Sequence, residues 1–317
     1  MTNLGTLGGP SSNATGINDA GQVVGYSDTA GGHAHAFLYS GGIITDLGTL
    51  GGPESNAYGI NDAGQVVGYS DAAGGYTHAF LYSGGIMADL GTFGGLSSIA
   101  TGINDAGQVV GYLTTAGYSW NAFLYSGGIM TNLGTLGGSN SIATGINDAG
   151  QVVGYSVTAD GNTHAFLYSG GIMTDLGTLG GSSSAAWSIN DAGQVVGSSG
   201  TAGGNGNAFL YSGGIMTDLG TLPGSNGGST AWSINDAGQV VGNSNTAGGD
   251  EHAFLYSGGI MTDLGTLGGS TSYAFGINDA GQVVGYSDLP TPEPASLVLL
   301  GAGAALLILM RKRLQHP

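Results

Sequence analysis

Four histidines recur in a single tripeptide, His35-Ala36-Phe37, His78-Ala79-Phe80, His164-Ala165-Phe166 and His252-Ala253-Phe254. Imidazoles repeated at one position of a unit could form a metal-binding ring. The two remaining equivalent positions hold Asn121 and Asn207. Asn shares the hydrogen-bonding capacity of neutral imidazole but is a far weaker metal ligand, so a structural role at a strand entrance is favoured. A second series, Asp19, Asp62, Asp105, Asp148, Asp191, Asp236 and Asp279, recurs without variation. One carboxylate per unit could seat Ca²⁺, but the spaced carboxylates of a D-x-D-x-D-G loop are missing. An Asx-type turn hydrogen bond explains these residues more simply, and they are expected to be structural turns. A third series, Asp46, Asp89, Asp175, Asp218 and Asp263, ends a predicted strand, and Asn3 and Asn132 replace it in two units. Loss of the charge there argues for a backbone cap. No metal and no cofactor are expected.

Catalysis needs unlike groups brought together once, whereas near-identical units present the same residues repeatedly. No G-x-S-x-G, metalloprotease or phosphate-binding motif occurs, and a non-enzymatic chain is expected. The 317 residues carry 20 acidic side chains and 3 basic ones, a net charge of −17. Nucleic-acid binding is excluded, because it needs Lys and Arg to neutralise phosphates. All three cations, Arg311, Lys312 and Arg313, lie at the C-terminus, so residues 1–310 can form no Lys or Arg ion pair. The absence of Cys removes disulfides, zinc-thiolate sites and thiol nucleophiles.

The elements that must position these residues are repeats. I-N-D-A-G-Q-V-V-G occurs seven times, with its Asn at 18, 61, 104, 147, 190, 235 and 278, at spacings of 43 and once 45. A-F-L-Y-S-G-G-I follows six times and L-G-T-L-G-G, or a close variant, seven times. Within a unit the sequence predicts four strands: A-T-G-I-N, Q-V-V-G-Y-S, H-A-F-L-Y and I-M-T-D-L. Asn61-Asp62-Ala63-Gly64 suits a type I turn closed by a glycine bulge, and S-G-G suits the next hairpin. The runs A-F-L-Y and Q-V-V do not alternate, which predicts sheets buried on both faces by stacking. The fold class is therefore all-β: a β-propeller of about seven four-stranded blades built from 43-residue repeats over residues 1–288, with a linear β-solenoid as the alternative.

The first unit begins at the equivalent of I-M-T-D-L, and the last supplies only its first two strands. A ring closed by both termini would lack one third strand, and the expectation is that the chain starts late and has lost a signal peptide. Residues 289–294 form a Pro-rich linker. Residues 295–310, ASLVLLGAGAALLILM, predict a transmembrane helix, ~24 Å long against a ~30 Å hydrocarbon core, with a buried core helix as the alternative. Residues 311–317 form a basic tail on the cytoplasmic side.

Pro292-Glu293-Pro294, the apolar stretch and Arg311-Lys312-Arg313 together resemble a PEP-CTERM sorting signal. The resemblance implies recognition by an exosortase, a membrane transpeptidase, and delivery of the chain from a membrane-anchored precursor to the surface or exopolysaccharide matrix of a Gram-negative bacterium. The H-A-F tripeptides resemble the extracellular HAF-repeat family. The reading is of a structural or adhesive matrix protein whose partners are the exosortase and extracellular polysaccharide. Two alternatives remain. One is a glycan-binding propeller using Tyr, Trp120, Trp187 or Trp232 between blades, although core packing explains those Trp more simply. The other is a polysaccharide-active enzyme.

Overall fold

The computed structural model describes residues 4–288 together with Leu297–Val298 and Leu306–Met310. Every regular element among the described residues is a β-strand. The second unit shows the local logic. Its strands Gly51–Ile60, Val66–Ala72, Thr77–Ser83 and Ile86–Asp89 pair antiparallel in sequence order, first strand innermost. At Asn61-Asp62-Ala63-Gly64 the Gly64 N–H donates to the Asn61 carbonyl at 3.0 Å and the Asn61 N–H to the Gln65 carbonyl at 3.1 Å. Gly64 sits at φ +73°, the conformation that closes a type I turn with a bulge. Gly84 and Gly85, at φ +60° and +85°, form the two-residue hairpin before the outer strand.

The first strand starts earlier than its A-T-G-I-N core. Gly51 already pairs with Ala72, and an irregularity between Gly51 and Ser55 accommodates Pro53, which has no N–H to give to the ladder. The glycine of Q-V-V-G has a different cause. A Cβ on Gly68 would lie 1.9 Å from the Asn56 carbonyl oxygen, so the sheet admits no side chain there.

Neighbouring sheets bury each other through one recurring cluster. Val67 and Ala79 of the second sheet pack on Ala100, Val109 and Phe123 of the third. A fully buried Phe from a third strand anchors six of the seven contacts, namely Phe37, Phe80, Phe123, Phe166, Phe209 and Phe254. The contact between the last two units has Val241, Ala253, Ala274, Ile277 and Val283 but no Phe, because the last unit supplies no A-F-L-Y run. The array closes on itself: Leu4, Ala14, Val23 and Phe37 of the first unit enclose Val284 of the last. The expected solenoid alternative, an open rod, does not fit that closure.

The C-terminus differs from expectation where it is described. Most of 295–310, the linker 289–294 and the tail 311–317 lie outside the described residues. The two described stretches are strands. Leu306–Met310 runs parallel to Gln282–Ser287, from Gln282 opposite Leu306 to Tyr286 opposite Met310, and Leu297–Val298 pairs antiparallel beside it. The physical reason is a free edge: with no third strand following Gln282–Ser287, its outer N–H and C=O groups need partners. Among the described residues no helix is long and apolar enough to cross a membrane.

Candidate functional site

The first strands line a central channel whose two ends differ. At one end, each repeat turn is joined to the next by two hydrogen bonds. Asn18 Nδ2 donates to the Asn61 carbonyl, Asn61 to Asn104, and so on round to Asn278, which donates to Asn18, all at 3.0–3.1 Å. Each Asn Oδ1 also accepts its own unit's Gln N–H, as Asn104 does from Gln108 at 2.9 Å. The turn-closing side chain is thus the Asn.

The aspartates expected to close the turns point sideways instead. The N–H of Asp19 donates to Asp62 Oδ1, and the series runs through Asp105, Asp148, Asp191 and Asp236 to Asp279, whose N–H returns to Asp19 Oδ1, at 2.8–2.9 Å. Burial, followed by the surrounding carboxylates, holds Asp148 and Asp279 above the usual aspartate range. This end is narrow, enclosing about 200 Å³ between seven Ile-Asn-Asp turns.

The repeated histidines lie elsewhere, on four of the six third strands. His35 Nδ1 meets Asp46 at 2.9 Å, and His78, His164 and His252 meet Asp89, Asp175 and Asp263 at 2.8 Å. Where His becomes Asn207, its amide donates to Asp218 at 3.0 Å. The same carboxylates cap the chain, Asp46 Oδ1 accepting the Gly48 N–H at 2.8 Å, and Asn132 accepts the Gly134 N–H in the same way. Among the described residues no group of three or more His, Asp or Glu is placed to hold a metal ion.

The other end of the channel opens into a hollow of about 700 Å³ with an aromatic ring from every unit in its lining, and on one arc those rings touch. Tyr155 meets Trp187 edge-on at 5.7 Å, Trp187 meets Trp232 at 4.9 Å, and Trp232 meets Phe275 at 6.1 Å. Thr15, Thr101 and Thr144 hold the position of Trp187 in other units and donate across to the Ala57, Ala143 and Ala186 carbonyls. Trp187 and Trp232 are thus half-buried channel residues and not core packing, and Trp120 is exposed. Burial pushes the Tyr58, Tyr69, Tyr112 and Tyr155 phenols above their usual range.

A structural pair that sequence reasoning missed sews the sheets together. Ser98 Oγ, 1 % exposed, accepts the Ala79 N–H of the preceding sheet at 2.9 Å and donates to the Gly91 carbonyl at 2.6 Å. Ser55, Ser141, Ser184, Ser229 and Ser272 repeat the bridge. The available signal was a serine held two residues before the repeated Ala of the first strand, at the end of a polar Gly/Ser-rich stretch.

Comparison with known proteins adds two findings. The chain is similar in structure to the β-propeller domain of the Trilobed protease from Pyrococcus furiosus, at 11% identity and TM-score 0.59, covering 81% of this chain and 84% of that one. It is also similar to a putative TolB from Agrobacterium tumefaciens, at 14% identity and TM-score 0.52, covering 70% and 84%. A third likeness, to the Pyrococcus horikoshii acylaminoacyl peptidase, has 12% identity and TM-score 0.55 and covers 82% of this chain and 45% of that one. The fold is a β-propeller. Separately, residues 290–313 match the PEP-CTERM protein-sorting motif. That motif implies a membrane-anchored precursor, processed by exosortase and sorted to the cell surface. Pro292, Glu293, Pro294, Arg311, Lys312 and Arg313 lie outside the described residues. No curated protein sequence matches the chain.

Proposed function

We propose that this chain is a non-enzymatic, exported repeat protein that an exosortase delivers to the surface or exopolysaccharide matrix of a Gram-negative bacterium, where it has a structural or adhesive role. The repeats are of the HAF type, and the body is a seven-bladed propeller. The observation that carries the address is the sorting motif over 290–313. Before processing, residues 295–310 span the bilayer as a helix, since a lone apolar segment in lipid must satisfy its own backbone. Outside lipid the same run adds strands to a free sheet edge, so the two states are alternatives for one segment.

The structural role is supported by repetition at the surface. One isoleucine per unit, Ile43, Ile86, Ile129, Ile172, Ile215 and Ile260, is 68–70 % exposed on the outer strands. Six equivalent apolar contacts round a ring suit multivalent attachment, in which weak individual contacts add through effective concentration. Fractionation of a tagged full chain in a bacterium with and without its exosortase tests the address. The expected result is surface or matrix material in the first and membrane retention in the second. Identical fractionation in both would refute it.

A further inference from the structure

The repeats provide an internal control: any unit that departs from the others in several contacting positions at once has acquired something. The fifth unit does so. Where five other units carry Tyr26, Tyr69, Tyr112, Tyr155 and Tyr286, and the sixth Asn243, the fifth has Ser198. Gly200 replaces Asp28, Asp71, Thr114, Val157, Asn245 or Asp288, and Ala185 replaces Asn, Ile, Thr or Tyr. Gly206 stands where other units have Ala34, Thr77, Trp120, Thr163 or Glu251. Ala185 pairs with Ser198 and Gly200 with Gly206 across adjacent strands, so these four shortened positions share one face of the sheet. Val196 lies on that face and packs with Phe254, so the face turns towards the sixth unit. On the opposite side the strand start, Gly180–Ser184, is itself glycine and serine.

Ala185, Ser198, Gly200 and Gly206 line a hollow of about 810 Å³ that wraps round the end of the fifth sheet and is walled by Tyr155 and Thr163 of the fourth. Trp187 lines it as well, and Tyr155 and Trp187 also line the channel mouth, so the two spaces adjoin. The Trp187 Nε1–H is buried and has no partner among the described residues. In the sixth unit Trp232 at the same position donates to Asn243 at 2.7 Å, and Ser198 is the fifth unit's shorter counterpart of that acceptor.

We infer that this hollow is a binding site for a neutral oligosaccharide. The indole and phenol faces offer flat apolar walls for the C–H face of a pyranose. Ser182, Ser183, Ser198 and Asn205 supply the hydroxyl and amide groups that match sugar hydroxyls. No lining residue is charged. Acidic sugars are excluded, because they would meet a body with 20 carboxylates and no cation before Arg311. The lining also has no carboxylate to act as acid or base, so the site binds and does not cleave. This deepens the matrix reading by naming a ligand class and site, but it does not depend on export.

The test is intrinsic tryptophan fluorescence and calorimetric titration of the purified full chain with cellohexaose, maltohexaose and mannohexaose, and with oligogalacturonate as the acidic control. Saturable binding of at least one neutral probe and none of oligogalacturonate is expected. Ser198→Tyr refills the hollow with the residue five other units tolerate, two of them beside an aromatic at the Trp187 position (Tyr58 with Tyr69, Phe275 with Tyr286). It is expected to keep the wild-type circular dichroism spectrum and weaken binding about ten-fold or more. Trp187→Phe keeps the ring and loses the N–H, for an expected loss of roughly three- to ten-fold. Trp232→Phe is expected to bind as wild type. The inference is overturned if none of the neutral probes binds at millimolar concentration, or if folded Ser198→Tyr binds undiminished. Failure here with normal sorting, or the reverse, separates the site from the address.

Discussion

Replacing Asn104 measures how much of the ring rests on the turn-to-turn bonds. Asn104 is 4 % exposed, donates to the Asn147 carbonyl at 3.0 Å and to Gln108 Oε1 at 2.9 Å, and accepts the Gln108 N–H at 2.9 Å. Asn104→Ala leaves the Gln108 N–H unmet and removes one of the two donors to the Asn147 carbonyl, which keeps the Gly150 N–H at 2.9 Å. The Gln108 side chain is only half-buried and can turn to water. At about 1–3 kcal/mol for the unmet N–H and about 0.5–1.5 kcal/mol for the lost bond to Asn147, the expected destabilisation is about 1.5–4.5 kcal/mol, a large part of the roughly 5–15 kcal/mol that holds a typical domain. Asn104→Asp sharpens the test because it keeps the shape and the acceptor for Gln108. Its second oxygen then faces two acceptors, the Asn147 carbonyl and Gln108 Oε1, until it takes up a proton. At neutral pH Asp should therefore be worse than Ala, and the deficit should shrink on acidification. Urea unfolding of the full chain, followed by tryptophan fluorescence and far-ultraviolet circular dichroism, reads both variants. An unchanged midpoint for Asn104→Ala, at an unchanged slope, would refute the reasoning.

Three further outcomes follow from the same geometry. Ser98→Ala strips the acceptor from the buried Ala79 N–H and should cost about 1–3 kcal/mol, read as a lowered thermal midpoint; a midpoint within error of wild type would show that the bridge contributes nothing. Ser198→Asn gives the Trp187 N–H the kind of acceptor that Trp232 already has, and should raise stability by about 1 kcal/mol while weakening sugar binding. Tyr58, Tyr69, Tyr112 and Tyr155 are held protonated chiefly by burial, and Tyr273 by burial and then by Glu251. The folded chain therefore keeps protons that the unfolded chain releases near pH ~10. Their contribution is intact below that value and is lost as pH rises through it, so the urea midpoint should fall between pH ~8 and ~11. A flat profile would show that the phenols titrate alike in both states.

Much of the fold was legible because its signals are local. Gly64 after Asn61-Asp62-Ala63 and the Gly84-Gly85 pair fix turns through the backbone of neighbouring residues, and the apolar run Ala79-Phe80-Leu81-Tyr82 states its two-faced burial directly. The partners of Asn104, Asp105 and Ser98 were not legible, since the groups they meet belong to other units, brought close only by ring closure. Asp105 read as a turn former and acts on its neighbour's turn. The early start of Gly51–Ile60 was missed because Pro53 argues against a strand in any sequence, and only the irregular pairing before Ser55 lets it in. The run Leu306–Met310 read as a helix because strand or helix depends there on whether a free edge or a bilayer is at hand.

The two channel ends divide the work between sameness and difference. A body without Lys or Arg before Arg311 closes by hydrogen bonds and packing, and the groups that close it, Asn, Asp and Gln at the narrow end, are identical in every unit. Any change there would be felt by two neighbours, since each turn gives to the next and accepts from the one before. At the wide end the constraint is weaker, because the Thr101 bond to Ala143 can be given up for an aromatic ring, as Trp187 and Trp232 do, while the sheets stay joined by Ser229 and Ser272. Variation has accumulated where it is structurally tolerated, and it is grouped: the aromatic contacts run from Tyr155 through Trp187 and Trp232 to Phe275 on one arc of the ring, and the fifth unit, which contributes Trp187, has lost the large side chains its neighbours carry beside that position. In an array of near-copies, that grouping is what breaks the symmetry, and recognition of a single ligand orientation requires such a break.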